Sequence, residues 1–178
     1  SMIFDRCITL PDGTSWPSNF EGDYGSGGYI PAWYAVQQSK NTTAVRMAQV
    51  LGIDTCFNFL TDKLNVTTLD YTNDKAYSPI ALGQLTQGMT LLELAGAYQI
   101  FGSGGMYYTP KLYNLITDYN DNVVIEQEPL GDRVMDSDSA YITNRLLKAV
   151  TDTTNGSGRY ARIDGIEVVG KTGTSNDE

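Results

Sequence analysis

The sequence predicts an α+β fold. Helical periodicity fills the first two thirds, β-like apolar runs gather late, and the two do not alternate as βαβ units would. With 178 residues the chain is one domain or a large piece of one. Its hydrophobic fraction of 41% is enough for a packed core.

Residues 1–28 read as loop, with a turn at Pro11-Asp12-Gly13 and punctuation at Gly22, Gly25, Gly27 and Gly28. Tyr29 to Gln38 reads as a short helix that tolerates Pro31 in its first turn. A second helix spans Thr42 to Leu51, with Ala44, Met47, Ala48 and Leu51 on one face and Gly52 as its stop. Asp54 suits the N-cap of a third helix reaching about Leu64, with Phe57 and Leu60 inward. Val66 to Leu85 is polar and irregular.

Thr90 and Glu93 make a capping box, so a helix follows, with Leu91, Leu94, Ala95 and Tyr98 as its buried stripe. Gly102-Ser103-Gly104-Gly105 ends it. Leu112–Tyr119 and Val123–Glu126 form a hairpin around Asn120-Asp121-Asn122. Another helix runs from the Asp136-Ser137-Asp138 cluster to about Val150, with Ile142, Leu146, Ala149 and Val150 inward. Asn155-Gly156-Ser157-Gly158 is a flexible turn, and Ile166–Gly170 a final strand.

Composition narrows the chemistry. Histidine is absent, which excludes His-based triads and His-ligated metals within these residues. The two cysteines, Cys7 and Cys56, form no metal cluster by themselves; they are either two free thiols or a pair in an oxidising compartment. A net charge of −9 with no basic cluster argues against a nucleic-acid partner. No apolar run approaches the ~20 residues of a membrane span.

Two motifs carry candidate chemistry. Lys171-Thr172-Gly173-Thr174 places a cation, two hydroxyls and a residue without a side chain at the end of an apolar run. Such a segment can hold the carboxylate of an extended peptide, and the Thr174 N–H can serve an oxyanion. The plain alternative is a solvated strand end with a glycine turn. Ser39-Lys40-Asn41 fits the same kind of site, although locally Asn41 is equally a good N-cap and Ser39 a good helix end. No Ser-x-x-Lys occurs in the chain.

The surroundings of these motifs resemble the transpeptidase domain of penicillin-binding proteins, closest to the bifunctional class A type. The resemblance is carried by Gln38-Ser39-Lys40-Asn41-Thr42 with Ala44-Val45-Arg46, Ala48-Gln49 and Leu51-Gly52-Ile53. It continues through Ala81 to Ala95, Ala97-Tyr98, Gly104 to Pro110, and Lys171-Thr172-Gly173-Thr174-Ser175-Asn176-Asp177. Order and spacing hold from about Thr9 onward.

That resemblance implies the serine β-lactamase/D,D-transpeptidase fold, here a helical cluster with an incomplete antiparallel sheet. It implies an enzyme that cross-links peptidoglycan stem peptides ending in D-Ala-D-Ala, through an acyl-serine that β-lactams also form. Ser39 then relays protons, Asn41 hydrogen-bonds the substrate and a site lysine, and Lys171, Thr172 and Thr174 hold the substrate carboxylate, with Gly173 in the same substrate-binding segment leaving room for the ligand backbone. The family needs no cofactor or metal. It works at the outer face of the bacterial cell membrane, anchored there and commonly fused to a glycosyltransferase. The family's Ser-x-x-Lys precedes its Ser-x-Asn segment, so residues 1–178 are expected to be a partial domain, truncated at both ends and inactive alone. A sheet edge left open in this way is expected to self-associate, or to leave the chain disordered near residues 165–178. A serine β-lactamase segment and a non-catalytic module of the same fold are the competing readings.

Overall fold

The computed structural model describes residues 1–128 and 130–174. Residues 1–28 hold strands where only loop was expected. β1 (Met2–Asp5) pairs antiparallel with β4 (Gly28–Pro31), and between them β2 (Ile8–Thr9) and β3 (Ser15–Trp16) form a small hairpin. Its turn falls at Pro11-Asp12-Gly13, where Asp12 Oδ1 accepts from the Thr14 N–H at 2.9 Å and the Thr14 hydroxyl at 2.7 Å. Two-residue strands among glycines carry too little alternation to be seen in sequence.

The first helix is shorter than expected. Tyr29 to Pro31 belong to β4, and α1 (Ala32–Gln37) starts after Pro31 at its N-cap. α2 (Asn41–Leu51) ends at Gly52, whose φ of 85° suits glycine. Its inward face differs from the expected one: Thr42, Thr43, Val45 and Ala48 are buried, while Met47 and Leu51 are exposed. Two buried threonines meet polar partners, a packing that apolar periodicity cannot reveal.

α3 (Ile53–Asn58) continues as a π-helical turn, Phe59–Lys63, so the segment runs to Leu64 as expected. Its N-cap is Gly52 rather than Asp54, which instead pairs with Lys75 at 2.6 Å. The stretch expected to be irregular contains α4 (Tyr77–Leu82). The loop before α4 is fastened by the buried Asp74 carboxylate, which accepts from the N–H groups of Asp70 at 2.9 Å and Thr86 at 2.8 Å.

α5 (Leu91–Gly102) opens with the expected capping box. Its expected stripe faces outward, with Leu91 85% exposed and Leu94, Ala95 and Tyr98 also at the surface, while Gly96 and Ile100 are buried. This helix is apolar nearly all round, so periodicity alone cannot select its inner face. Backbone proximity does so: a Cβ on Gly96 would lie 2.9 Å from Pro110 Cγ.

β5 (Met106–Tyr108) pairs with β8 (Gly131–Arg133), and β6 (Leu115–Thr117) with β7 (Val123–Glu126), giving the expected hairpin with a shorter first strand. Every residue of that hairpin's two strands is exposed. α6 (Ser137–Thr151) buries Ala140, Leu147, Val150 and Thr151. Of its expected inner face only Val150 is fully buried, and Ile142 is exposed. The main core joins Leu64, Val66, Ile100 and Tyr107, with Phe59, Met89 and Phe101 packed around them.

The described strands form four separate antiparallel pairs rather than one incomplete sheet. Ile166–Gly170, expected as a strand, has no ladder partner beyond the isolated Ile163–Ile166 bridge. It is held against α6 instead: the Thr151 hydroxyl donates to the Val168 carbonyl at 2.5 Å, and Lys148 pairs with Glu167. Both cysteines are free thiols, Cys56 half-buried on α3. No described helix is long and apolar enough to cross a membrane.

Candidate active site

α1 and α2 meet in a tight bend at Gln38–Lys40. Ser39 takes up the turn with φ of 54°, a left-handed conformation that costs a residue with a Cβ about 1–2 kcal/mol. Such strain is held where surrounding structure fixes it, and it gathers at functional sites. The bend brings the Ser39 hydroxyl to the opposite end of the chain. Lys171 Nζ donates to Ser39 Oγ at 2.7 Å and to the Thr172 carbonyl at 2.8 Å.

Lys171 is half-buried, and burial pushes its ammonium below the usual lysine range. Its described partners are a hydroxyl and a carbonyl, neither of them charged. A desolvated cation without a counter-charge attracts an anion. Its lowered pKa also brings proton exchange with the adjacent hydroxyl closer to neutral pH.

A turn that sequence reading treated as a flexible connector braces both halves. After α6, Gln37 Nε2 donates to Thr153 Oγ1 at 2.6 Å and Gln38 Nε2 to the Asn155 carbonyl at 3.2 Å. On its other side the Thr172 hydroxyl donates to Ser157 Oγ at 2.8 Å. Gly156 makes the turn possible, since a Cβ there would sit 2.1 Å from the Val150 carbonyl oxygen. Sequence reasoning missed Gln37, Thr153 and Ser157 as parts of this region. Only the Gly156/Gly158 pair beside a serine hinted at a constrained turn.

The remaining candidates are placed differently. Asn41 is the first residue of α2, not its N-cap; that position is Lys40, without a side-chain cap. Asn41 turns its amide to the Ser18 carbonyl at 2.9 Å, so the capping alternative does not hold for it. Neither does Ser39 end α1, whose C-cap is Gln38. Asn41 makes no described bond to Ser39 or Lys171. Gly173 and Thr174 are exposed, and a Cβ on Gly173 would meet nothing within 4 Å. Ser175, Asn176 and Asp177 lie outside the described residues. Two concavities of about 240 and 330 Å³ lie elsewhere, one beside α6 near Arg162 and one between α5 and Pro110.

Comparison with known proteins shows the family and the fold. Residues 3–177 match the family model of the penicillin binding protein transpeptidase domain. The chain belongs to that family. It is 34% identical over 165 residues to penicillin-binding protein 1A of Clostridium novyi, covering 92% of this chain and 19% of the relative. To penicillin-binding protein 1A of Streptococcus oralis it is 32% identical over 177 residues, covering 99% and 27%. The chain thus spans roughly a fifth to a quarter of the length of these relatives.

Among solved structures, penicillin-binding protein 1A from Haemophilus influenzae superposes with a TM-score of 0.75 at 21% identity, over 99% of this chain and 31% of the other. Penicillin-binding protein A from M. tuberculosis, solved as an imipenem acyl-enzyme complex, gives 0.74 at 17% identity, over 100% and 44%. These likenesses establish the α+β transpeptidase fold.

Proposed function

We propose that this chain is part of the transpeptidase domain of a class A peptidoglycan D,D-transpeptidase, holding the Ser-x-Asn and Lys-Thr-Gly halves of its active site. The carrying observation is the 2.7 Å contact between Lys171 Nζ and Ser39 Oγ, which joins two motifs 132 residues apart. Lys171, with Thr172, Gly173 and Thr174 beside it, receives the terminal carboxylate of a D-Ala-D-Ala stem peptide. A β-lactam carboxylate takes the same place. Ser39 passes a proton between Lys171 and the reacting centre. Asn41 offers its side-chain carbonyl to the substrate amide, its N–H being engaged by Ser18.

The serine that attacks the penultimate D-Ala carbonyl and the lysine that activates it come from a Ser-x-x-Lys outside these 178 residues. The penicillin-binding relatives support this, being four to five times longer. The whole protein then acts at the outer face of the cell membrane, carries a glycosyltransferase domain, and the chain alone is inactive. The exposed β6–β7 hairpin and the outward apolar face of α5 favour association of the isolated chain. Sedimentation velocity is expected to show oligomers, and a monomer at high concentration would contradict this.

A β-lactamase reading needs a carboxylate base free for deacylation. Glu93 sits in the capping box of α5. Its oxygens accept from the N–H and hydroxyl of both Thr67 and Thr90 at 2.7–2.9 Å, which holds its pKa down to about 2. It is a cap rather than a base.

The test uses fluorescent penicillin. The full-length protein is expected to form a covalent adduct, lost on Lys171→Ala and reduced at least tenfold by Ser39→Ala, while the 178-residue chain stays unlabelled. Absence of an adduct in the full-length protein, with its Ser-x-x-Lys intact, would overturn the reading. Rapid antibiotic turnover would favour the hydrolase.

A further inference from the structure

The three residues after Ser39 are each gripped by one distant loop. Lys40 Nζ reaches Glu21 Oε2 and Asp23 Oδ2, both at 3.4 Å. Asn41 Nδ2 donates to the Ser18 carbonyl at 2.9 Å. The Thr42 N–H donates to Asn19 Oδ1 at 3.3 Å. The Thr42 hydroxyl has one hydrogen, and its shorter contact, 2.6 Å, is to Asp5 Oδ1, with Asn19 Oδ1 at 3.2 Å.

Asn19 is the centre of this grip. It is only 3% exposed, and its Nδ2 donates to Asp23 Oδ1 at 2.7 Å. Its backbone closes the same loop, with the Asn19 N–H donating to the Asp23 carbonyl at 2.8 Å and the Gly22 N–H to the Asn19 carbonyl at 2.9 Å. Both ends of its side-chain amide are therefore engaged. One end does what an N-cap oxygen does, accepting a backbone N–H in the first turn of α2. The residue at the N-cap, Lys40, has no side-chain cap of its own.

We propose that Asn19 is a positioning residue of the transpeptidase site: it caps α2 from 23 residues upstream and so leaves the Asn41 side-chain oxygen free to face substrate. A capping Asn41 would turn its oxygen onto its own helix. Capping from outside removes that competition, and the neighbouring Ser18 carbonyl fixes which way the Asn41 amide points. Lys40, held by Glu21 and Asp23, is kept from approaching the Ser39–Lys171 pair as a second cation. The proposal rests on the transpeptidase reading of Ser39 and Asn41.

The test has two readouts. In the labelled 178-residue chain, Asn19→Ala is expected to speed exchange of the Thr42 amide about tenfold and to shift the Asn41 side-chain NH₂ resonances. The Val150 amide, on α6, is expected to keep its protection. Asn19→Ser retains an acceptor oxygen for the Thr42 N–H and a donor for Asp23, and is expected to restore Thr42 protection to within threefold. If Asn19→Ala does not fold, Asn19→Ser and the unsubstituted chain still decide: a Thr42 amide exchanging at the rate of exposed loop amides overturns the proposal.

In the full-length protein, Asn19→Ala is expected to slow penicillin acylation about tenfold at saturating antibiotic, with Asn19→Ser within threefold of the parent. A parent that is never acylated defeats the transpeptidase reading. A parent that is acylated, with an Asn19→Ala variant equally fast, defeats only the role of Asn19.

Discussion

Replacing Ser39 by glycine and by alanine separates the two things this residue does. Its backbone lies at φ 54°, where a Cβ costs about 1–2 kcal/mol. Its hydroxyl accepts from Lys171 at 2.7 Å, a half-buried bond contributing about 1 kcal/mol. Ser39→Ala loses the bond and keeps the strain, so it is expected to be about 1 kcal/mol less stable than the parent. Ser39→Gly loses the bond and sheds the strain, less the extra unfolded-chain entropy of glycine, and is expected to match the parent within ~0.5 kcal/mol. Urea unfolding followed by the fluorescence of Trp16 and Trp33 reads the difference. With an m-value of about 2 kcal/mol/M, the glycine variant's midpoint should lie ~0.5 M above the alanine variant's. Equal midpoints, or a more stable alanine variant, would show that residue 39 is not held left-handed. The account of the bend as a strained, fixed element would then fail.

Other substitutions probe the same framework. Lys171→Met is expected to equal or exceed the parent in stability at pH 7, because the half-buried ammonium has no charged partner among the described residues, while penicillin capture by the full-length protein disappears. Since the folded pKa of Lys171 lies below its ordinary 10.5, its penalty applies in full below the folded value and is relieved as pH rises from there to 10.5. Lys171→Met should therefore lose that alkaline gain in thermal scans. Glu93 behaves in the opposite sense: with a folded pKa of about 2 against 4.5, its contribution is complete above pH 4.5 and lost as pH falls toward 2. Glu93→Gln is expected to flatten that acid limb in urea titrations between pH 2 and 5. Gly156→Ala, which forces a Cβ to 2.1 Å from the Val150 carbonyl, should cost roughly 2 kcal/mol and lower Tm by about 6 °C in calorimetry.

Local chemistry was the legible part of this chain. The Thr90/Glu93 capping box, the hairpin over residues 118–122 and the stop at Gly52 each need only a few adjacent residues, and each stands as read. What failed depends on distant partners. α2 turns inward on Thr42 and Thr43 because Asp5 and Asn19 await them, and α5 turns inward on Gly96 because Pro110 approaches there. Asn41 looked like a cap because nothing within its own segment reveals that Asn19 replaces it. Ile166–Gly170 has the composition of a strand, but a strand exists only with a hydrogen-bonding neighbour, and here the segment is tied to Thr151 instead. The two ends of the site were legible as motifs; the braces at Gln37, Thr153 and Ser157 were not, since amide and hydroxyl side chains there leave no pattern.

The separation of Ser39 from Lys171 has a bearing on biogenesis. Closing a loop of 132 residues costs on the order of 4 kcal/mol in chain entropy before any contact repays it. During synthesis the bend at Ser39 leaves the ribosome long before its lysine exists, so the Ser39–Lys171 contact forms after the surrounding helices have docked. On the proposed function, antibiotic capture would consequently distinguish finished molecules from partly folded ones, reporting maturation.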